Sequence, residues 1–248
     1  MPPKIARGAT PAGAANDDQA SRWVRDMFGR VAHRYDLANH LLSFNIDRHW
    51  RSRTVAEVRA VLRRPEARVL DLCCGTGDLL MALEYGRGAA CFGSDFCHPM
   101  LTAAGAKLHK GRLRSSLFES DALRLPVRDV SLDLVTVAFG FRNLVNYDAG
   151  LEEMRRVLRP GGMVAILEFS QPGNPAFAAL YGFYSRRILP VIGGAISGAR
   201  DAYTYLPESV RKFPDAPELV SRMRAAGFQD VRFIRMTFGI VALHLGRV

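Results

Sequence analysis

The run Val69-Leu-Asp-Leu-Cys-Cys-Gly-Thr-Gly-Asp78 constrains this chain more than any other stretch. Its apolar opening reads as a buried strand, its glycines as a tight turn, and residues 78–85 as a helix that follows at once. Such a loop lets backbone approach a ligand and aims helix N–H groups at it. A dinucleotide loop is the rival reading. It needs a third glycine for close helix–strand packing, and Leu80 stands there instead. Acids also flank the loop, at Asp71 and Asp78. They would repel a pyrophosphate but suit the ammonium and sulfonium groups of S-adenosylmethionine, the expected cofactor.

Further strands are expected at residues 90–94, 116–120, 132–139 and 163–168, with helices at 98–109 and 148–158 between them. Arg159-Pro-Gly-Gly162 reads as a turn, 217–227 as a helix, and 230–236 and 239–245 as two closing strands. Alternation of this kind implies an α/β fold with parallel pairing and right-handed crossovers. Largely apolar strands imply a sheet covered on both faces. Seven strands, mostly parallel, are therefore expected. No linker divides the chain, so residues 21–248 read as one domain behind a flexible tail at 1–20. Residues 21–64 read as a helical extension, and 171–214 as a cap inserted before the last strands. The insert has apolar residues at helical spacing: Phe177, Leu180, Tyr181, Phe183, Tyr184, Ile188 and Leu189. It is either a helix packed on the sheet or a groove for an apolar tail, with Arg186 and Arg187 facing anionic headgroups.

Thirty-four basic residues, thirty of them Arg, outnumber 24 acids, for a net charge of +10. That balance fits an Arg-favouring composition or a negatively charged partner. No apolar run approaches the ~20 residues needed to cross a bilayer. Cys73, Cys74, Cys91 and Cys97 lack the C-x-x-C spacing of a metal or redox site. No metal and no disulfide are expected, and the N-terminus shows no secretory signal, so the expected location is cytoplasmic.

Acids also close the second and third strands. Asp95, eighteen residues after Gly77, can accept hydrogen bonds from ribose hydroxyls. Asp121, followed by Ala122, sits where an adenine edge is usually held. Each Asp alone reads equally well as a cap or turn former. Three at successive strand ends argue for a ligand rim, because open parallel sheets bind beyond the carboxyl ends of their strands. Phe139-Gly-Phe-Arg-Asn143 follows the fourth strand on that rim, where the reacting substrate atom should lie. An Asn/Asp-Pro-Pro-aromatic segment is missing there, and the nucleophilic Cys of cytosine C5 enzymes has no counterpart after this strand, since all four cysteines sit in the first two βα units. Both absences count against a nucleic-acid substrate.

These residues, with Tyr35-Asp-Leu-Ala-Asn39, Ser43 to Arg51, Glu153 to Gly162, Leu167-Glu-Phe-Ser170, Tyr203 to Pro214 and Leu243-His-Leu-Gly246, carry a resemblance. The chain resembles the ubiquinone/menaquinone biosynthesis C-methyltransferases, which methylate polyprenylated quinol rings, from roughly residue 24 to 246. The resemblance implies a Rossmann-like class I S-adenosylmethionine-dependent methyltransferase. Asp71, Gly75, Thr76, Gly77, Asp95, Asp121, Ala122 and Ala138 would then bind the cofactor, although many members have Ser in place of Ala138. Others have Gly and His where this chain has Asn45 and Asp47; Asn tolerates positive φ and can replace Gly. The first expected substrate is demethylmenaquinol and the second a ubiquinone-pathway benzoquinol. Arg142 with Asn143, helped by Tyr35, would stabilise a phenolate, because Arg stays protonated and is a poor base. Asp36 or His49 would accept the proton. The other reading of Arg142 is a structural ion pair. Peripheral contact with an anionic membrane at its cytoplasmic face and a homodimer complete the expectations. An RNA methyltransferase and a non-catalytic binding module remain the alternatives from other classes.

Overall fold

The computed structural model describes residues 7–34, 36, 40–41, 43, 45–174, 181–184, 187 and 200–248. In chain order they form α1 (Asp17–Val31), α2 (Ile46–Glu57), α3 (Arg59–Leu62), β1 (Val69–Leu72), α4 (Asp78–Arg87), β2 (Phe92–Asp95), α5 (His98–Lys110), β3 (Ser116–Glu119), β4 (Leu132–Ala138), α6 (Tyr147–Val157), β5 (Leu158–Phe169), α7 (Arg200–Lys212), α8 (Ala216–Ala225), β6 (Gln229–Met236) and β7 (Val241–Arg247). The seven strands lie in the order β3-β2-β1-β4-β5-β7-β6. β1 to β5 pair in parallel, while β7 runs antiparallel to both β5 and β6. This is the Rossmann-like class I methyltransferase sheet expected above.

The central strands alternate between two cores, as a period of two requires. Leu70, Leu72, Val135, Val137 and Ile166 bury with Leu151, Met154, Leu219 and Met223 of α6 and α8. Val69, Leu134, Ala165 and Leu167 bury on the other face with Trp50, Val58, Leu80 and Leu83. Both faces are therefore covered, and the strands' carboxyl ends are the free rim.

Two expectations need correction. Arg159–Gly162 is no separate turn: β5 begins at Leu158, which pairs with Leu132 across an irregularity in the β4–β5 register. Gly161 takes φ +75° there and donates its N–H to the Val248 carbonyl at 2.6 Å, so the turn residues extend the strand. The flexible tail does not extend to residue 20. Asn16 caps α1 by accepting the Gln19 N–H at 2.9 Å, and Ala9 N–H donates to the Leu144 carbonyl at 2.7 Å. Within the insert, Phe177, Leu180, Arg186, Ile188 and Leu189 lie outside the described residues.

Candidate active site

Backbone strain marks the rim. Immediately after β1, Cys73 takes φ +53°, and immediately after β4, Phe139 takes φ +59°. Non-glycine residues in this region cost of order 1–3 kcal/mol each and gather at functional sites. The two turns meet: a Cβ on Gly140 would stand 2.4 Å from Cys73 Cβ, so only glycine lets them touch. Gly77, at φ +86°, ends the turn and opens α4.

Asp95 is buried at the end of β2. One carboxylate oxygen accepts the Gly75 N–H at 2.8 Å and the other the Cys97 N–H at 2.9 Å. Burial pushes its pKa up against those bonds. Asp71, also buried, accepts the Thr136 hydroxyl at 2.7 Å. Burial pushes it up to about 7, opposed by that hydrogen bond and by Arg51, and reinforced by Asp95. Asp121 is exposed and accepts the Leu123 N–H at 2.9 Å, so it forms the turn that presents the buried Ala122.

Asp71, Gly75, Thr76, Asp95, Asp121, Ala122, Ala138, Arg142 and Asn143 all line one cavity of about 360 Å³. That lies within the roughly 300–1,000 Å³ of small-molecule sites. Gly77 does not line it; its role is the turn. Tyr35 lies outside the described residues.

Arg142 is buried against a partner that local sequence does not reveal. Its Nη1 donates to Glu168 Oε1 at 2.9 Å, and its backbone N–H donates to Glu168 Oε2 at 3.1 Å. It also donates to the Phe139 carbonyl and, through Nε, to Ser209 Oγ at 3.4 Å. The guanidinium lies 5.3 Å from the Phe169 ring centroid. Asn143 donates to the same Phe139 carbonyl at 3.4 Å and accepts the Tyr205 hydroxyl at 3.2 Å. An acid inside the apolar run Met163-Val-Ala-Ile-Leu-Glu168 was the available sign of this pair, since a buried charge needs a partner.

Asp78 does not face the cavity alone. It pairs with Lys107, with Arg51 at 3.3 Å and with His40 at 3.7 Å. His40 also meets Asp47 at 2.8 Å, and Asp47 pairs with Arg51 and accepts the Ser43 hydroxyl at 2.7 Å. His40, Asp47 and Asp78 thus form an ion-pair cluster that fastens α2 to the glycine loop, with Arg51 and Lys107 supplying the positive charge. Neither expected proton acceptor lines the cavity. Asp36 accepts from Thr76 and from Lys107 at 2.8 Å, and His49 is exposed on α2. The side wall is aromatic: Phe139 lies 4.8 Å from Phe169 and 5.9 Å from Trp50, centroid to centroid. Asn45, standing where glycine occurs in other members, takes φ +59° ahead of α2, as expected.

Known proteins agree with this architecture. The chain is similar to a demethylmenaquinone methyltransferase of Thermus thermophilus, 48% identical over 221 residues that cover 89% of this chain and 99% of the relative. It is 45% identical to a ubiquinone/menaquinone biosynthesis C-methyltransferase of Syntrophotalea carbinolica, covering 90% of this chain and 93% of that one. Among solved structures, a SAM-dependent methyltransferase of Thermotoga maritima superposes with a TM-score of 0.62 at 16% identity, over 90% of this chain and 98% of the other, and shares the fold. The model of the ubiE/COQ5 methyltransferase family matches residues 15–247, and the chain belongs to that family.

Proposed function

We propose that this methyltransferase moves a methyl group from S-adenosylmethionine to a ring carbon of a polyprenylated quinol, in the first place demethylmenaquinol. One observation carries the reading: a single cavity joins the buried carboxylates of Asp71 and Asp95 to the Phe139–Asn143 segment and the aromatic wall. Two buried carboxylates whose pKa values burial drives upward are a donor set for a cationic ligand. When bound, S-adenosylmethionine supplies an electrophilic methyl group whose departure leaves a neutral thioether.

The chain's own groups do the rest. Asp95, fixed by the Gly75 and Cys97 amides, accepts the ribose hydroxyls through its remaining lone pairs. Asp71 would supply negative charge, Gly75 and Thr76 would hold the cofactor from the glycine loop, and Gly77 shapes the turn. Asp121, Ala122 and Ala138, which line the cavity, would hold the adenine end. Arg142 places a permanent positive charge where the ring oxygen becomes phenolate, and Asn143 and Tyr35 share in holding that oxygen. Loss of the phenolic proton to solvent moves electron density onto the neighbouring ring carbon, and after the methyl group is attached that carbon's own proton leaves to solvent and restores the aromatic ring. Orientation of the ring carbon can supply ~7–11 kcal/mol of a barrier reduction.

Among the described residues no helix is long and apolar enough to cross a membrane. The quinol's tail resides in lipid, so the enzyme meets it at the cytoplasmic face of the membrane. The net charge of +10 and the exposed Phe183 and Arg187 favour an anionic bilayer surface. A benzoquinol of the ubiquinone pathway is the second substrate, favoured by the name of the Syntrophotalea relative. The test is incubation with labelled S-adenosylmethionine and either quinol in anionic vesicles, read by mass spectrometry of the extracted lipid. Conversion of demethylmenaquinol to menaquinol is expected. Cofactor binding without transfer to either ring overturns the reading.

A further inference from the structure

Ahead of α1, residues 7–10 run along the loop that follows β4. Ala9 N–H donates to the Leu144 carbonyl at 2.7 Å, and Tyr147 N–H donates to the Arg7 carbonyl at 2.9 Å. Leu144 directly follows Asn143, and Tyr147 opens α6. The Arg7 carbonyl therefore satisfies one of the N–H groups that a helix start leaves without an internal partner. Asn146 caps the same helix, accepting the Ala149 N–H at 3.2 Å. On the other side, Lys212 Nζ donates to the Thr10 carbonyl at 3.0 Å. Lys212 ends α7, the helix whose Tyr205 holds Asn143 and whose Ser209 accepts from Arg142.

Gly8 shows how closely this segment lies. A Cβ there would stand 1.9 Å from the Val145 carbonyl oxygen, a backbone atom that cannot step aside alone. Gly8 and Ala9 are buried. Gly8, Ala9 and Thr10 share a small crevice with Arg142, Tyr147 and Ser209. Arg142 lines this crevice as well as the main cavity, so its side chain stands between the two. The family match begins at residue 15, so residues 7–10 lie ahead of the matched stretch while their partners lie within it.

We propose that residues 7–10 are a positioning strap: by tying Leu144 and Tyr147 to the end of α7, they hold Arg142 and Asn143 toward the cavity for quinol methylation. The strap rests on that functional reading. It touches neither substrate nor cofactor and acts through backbone bonds on the segment that does. A displacement of order 1 Å at reacting groups costs up to about a hundredfold in rate. Cofactor affinity, set by the far side of the cavity, is untouched.

Two full-length variants test it. Gly8→Ala forces the strap off Val145. Ala9→Pro removes the N–H that bonds Leu144 and leaves the rest of the chain intact. For both, kcat is expected to fall roughly tenfold to a hundredfold. The dissociation constant for S-adenosylmethionine and the melting temperature should stay near wild type, and amide exchange at Tyr147 should accelerate. Wild-type kcat in either variant overturns the proposal. So does loss of kcat in step with cofactor affinity and melting temperature, or failure to fold, since the segment would then support the whole domain rather than the loop. A wild-type enzyme that methylates neither quinol sinks the functional reading instead, and exchange at Tyr147 still shows whether the strap holds the loop.

Discussion

Replacing Glu168 by Gln isolates the charge that holds Arg142. The two side chains are almost wholly enclosed, Glu168 at 0% and Arg142 at 5% exposure, so solvent does little to screen them. Glu168 Oε1 accepts both Arg142 Nη1 at 2.9 Å and the Phe169 N–H at 2.8 Å, and a glutamine oxygen keeps both bonds. The amide nitrogen, however, replaces Oε2 and faces the Arg142 backbone N–H, which now sits 3.1 Å from that oxygen. Donor then meets donor, and the guanidinium loses its counter-charge. Breaking one side of a buried pair costs about 3–5 kcal/mol. The Phe139 carbonyl, Ser209 and the Phe169 ring still face the guanidinium, which puts the estimate at the lower end, about 3 kcal/mol. At about 2–4 °C per kcal/mol for a chain of this size, calorimetry should show a melting temperature lower by about 6–12 °C. The double variant Arg142→Met with Glu168→Leu should abolish methylation and recover only part of that stability, because both charges go together but the Arg142 and Phe169 N–H groups lose their acceptor. A drop of less than about 2 °C in Glu168→Gln would refute the argument that this charge pair is structurally required.

Asp71 should make cofactor binding depend on pH. Its pKa of about 7 lies above the ordinary carboxylate value of 3.8, so the folded protein retains a proton that the unfolded chain releases. Stability contributed by this group is thus complete below about pH 4 and is lost as pH rises toward about 7, at up to about 1.4 kcal/mol per pH unit. Affinity for the cationic cofactor should move oppositely, strengthening as Asp71 ionises, and Asp71→Asn should flatten both profiles in calorimetric titrations. Asp95→Ala should weaken cofactor binding by roughly tenfold to a hundredfold, the worth of hydrogen bonds to a charged acceptor, with little change in quinol KM. Asn45→Gly should leave the melting temperature level or raise it, whereas Asn45→Val should cost about 1–2 kcal/mol in denaturant titration, because φ is +59° there.

What the sequence made legible was whatever depends on neighbours along the chain. Short, largely apolar runs located the strands of the sheet, and the acids at or near the ends of the first three, Asp71, Asp95 and Asp121, located the rim, because a parallel strand must end where its crossover begins. Positive φ at Asn45 followed from the glycine that other members carry there and from the tolerance of Asn for that region. Pairings across the fold were harder to read. Arg142 and Glu168 lie 26 residues apart and meet only because β4 and β5 run in register, Ala138 opposite Leu167. Asp78, expected to favour the cofactor's cationic groups, meets Lys107 29 residues later because α4 and α5 bury on the same face of the sheet. A charge in a motif announces that it needs a partner without naming it, and the partner decides whether it acts on substrate or on structure. The carboxylate rim keeps its place in three dimensions because Asp95's oxygens are fixed by the Cys97 N–H two residues on and by the Gly75 N–H of the loop after the neighbouring strand β1. Arg142 gains its meaning only from Glu168, from α7 and from a strap ahead of the family's first shared residue, so its role must be tested through those partners rather than by its removal alone.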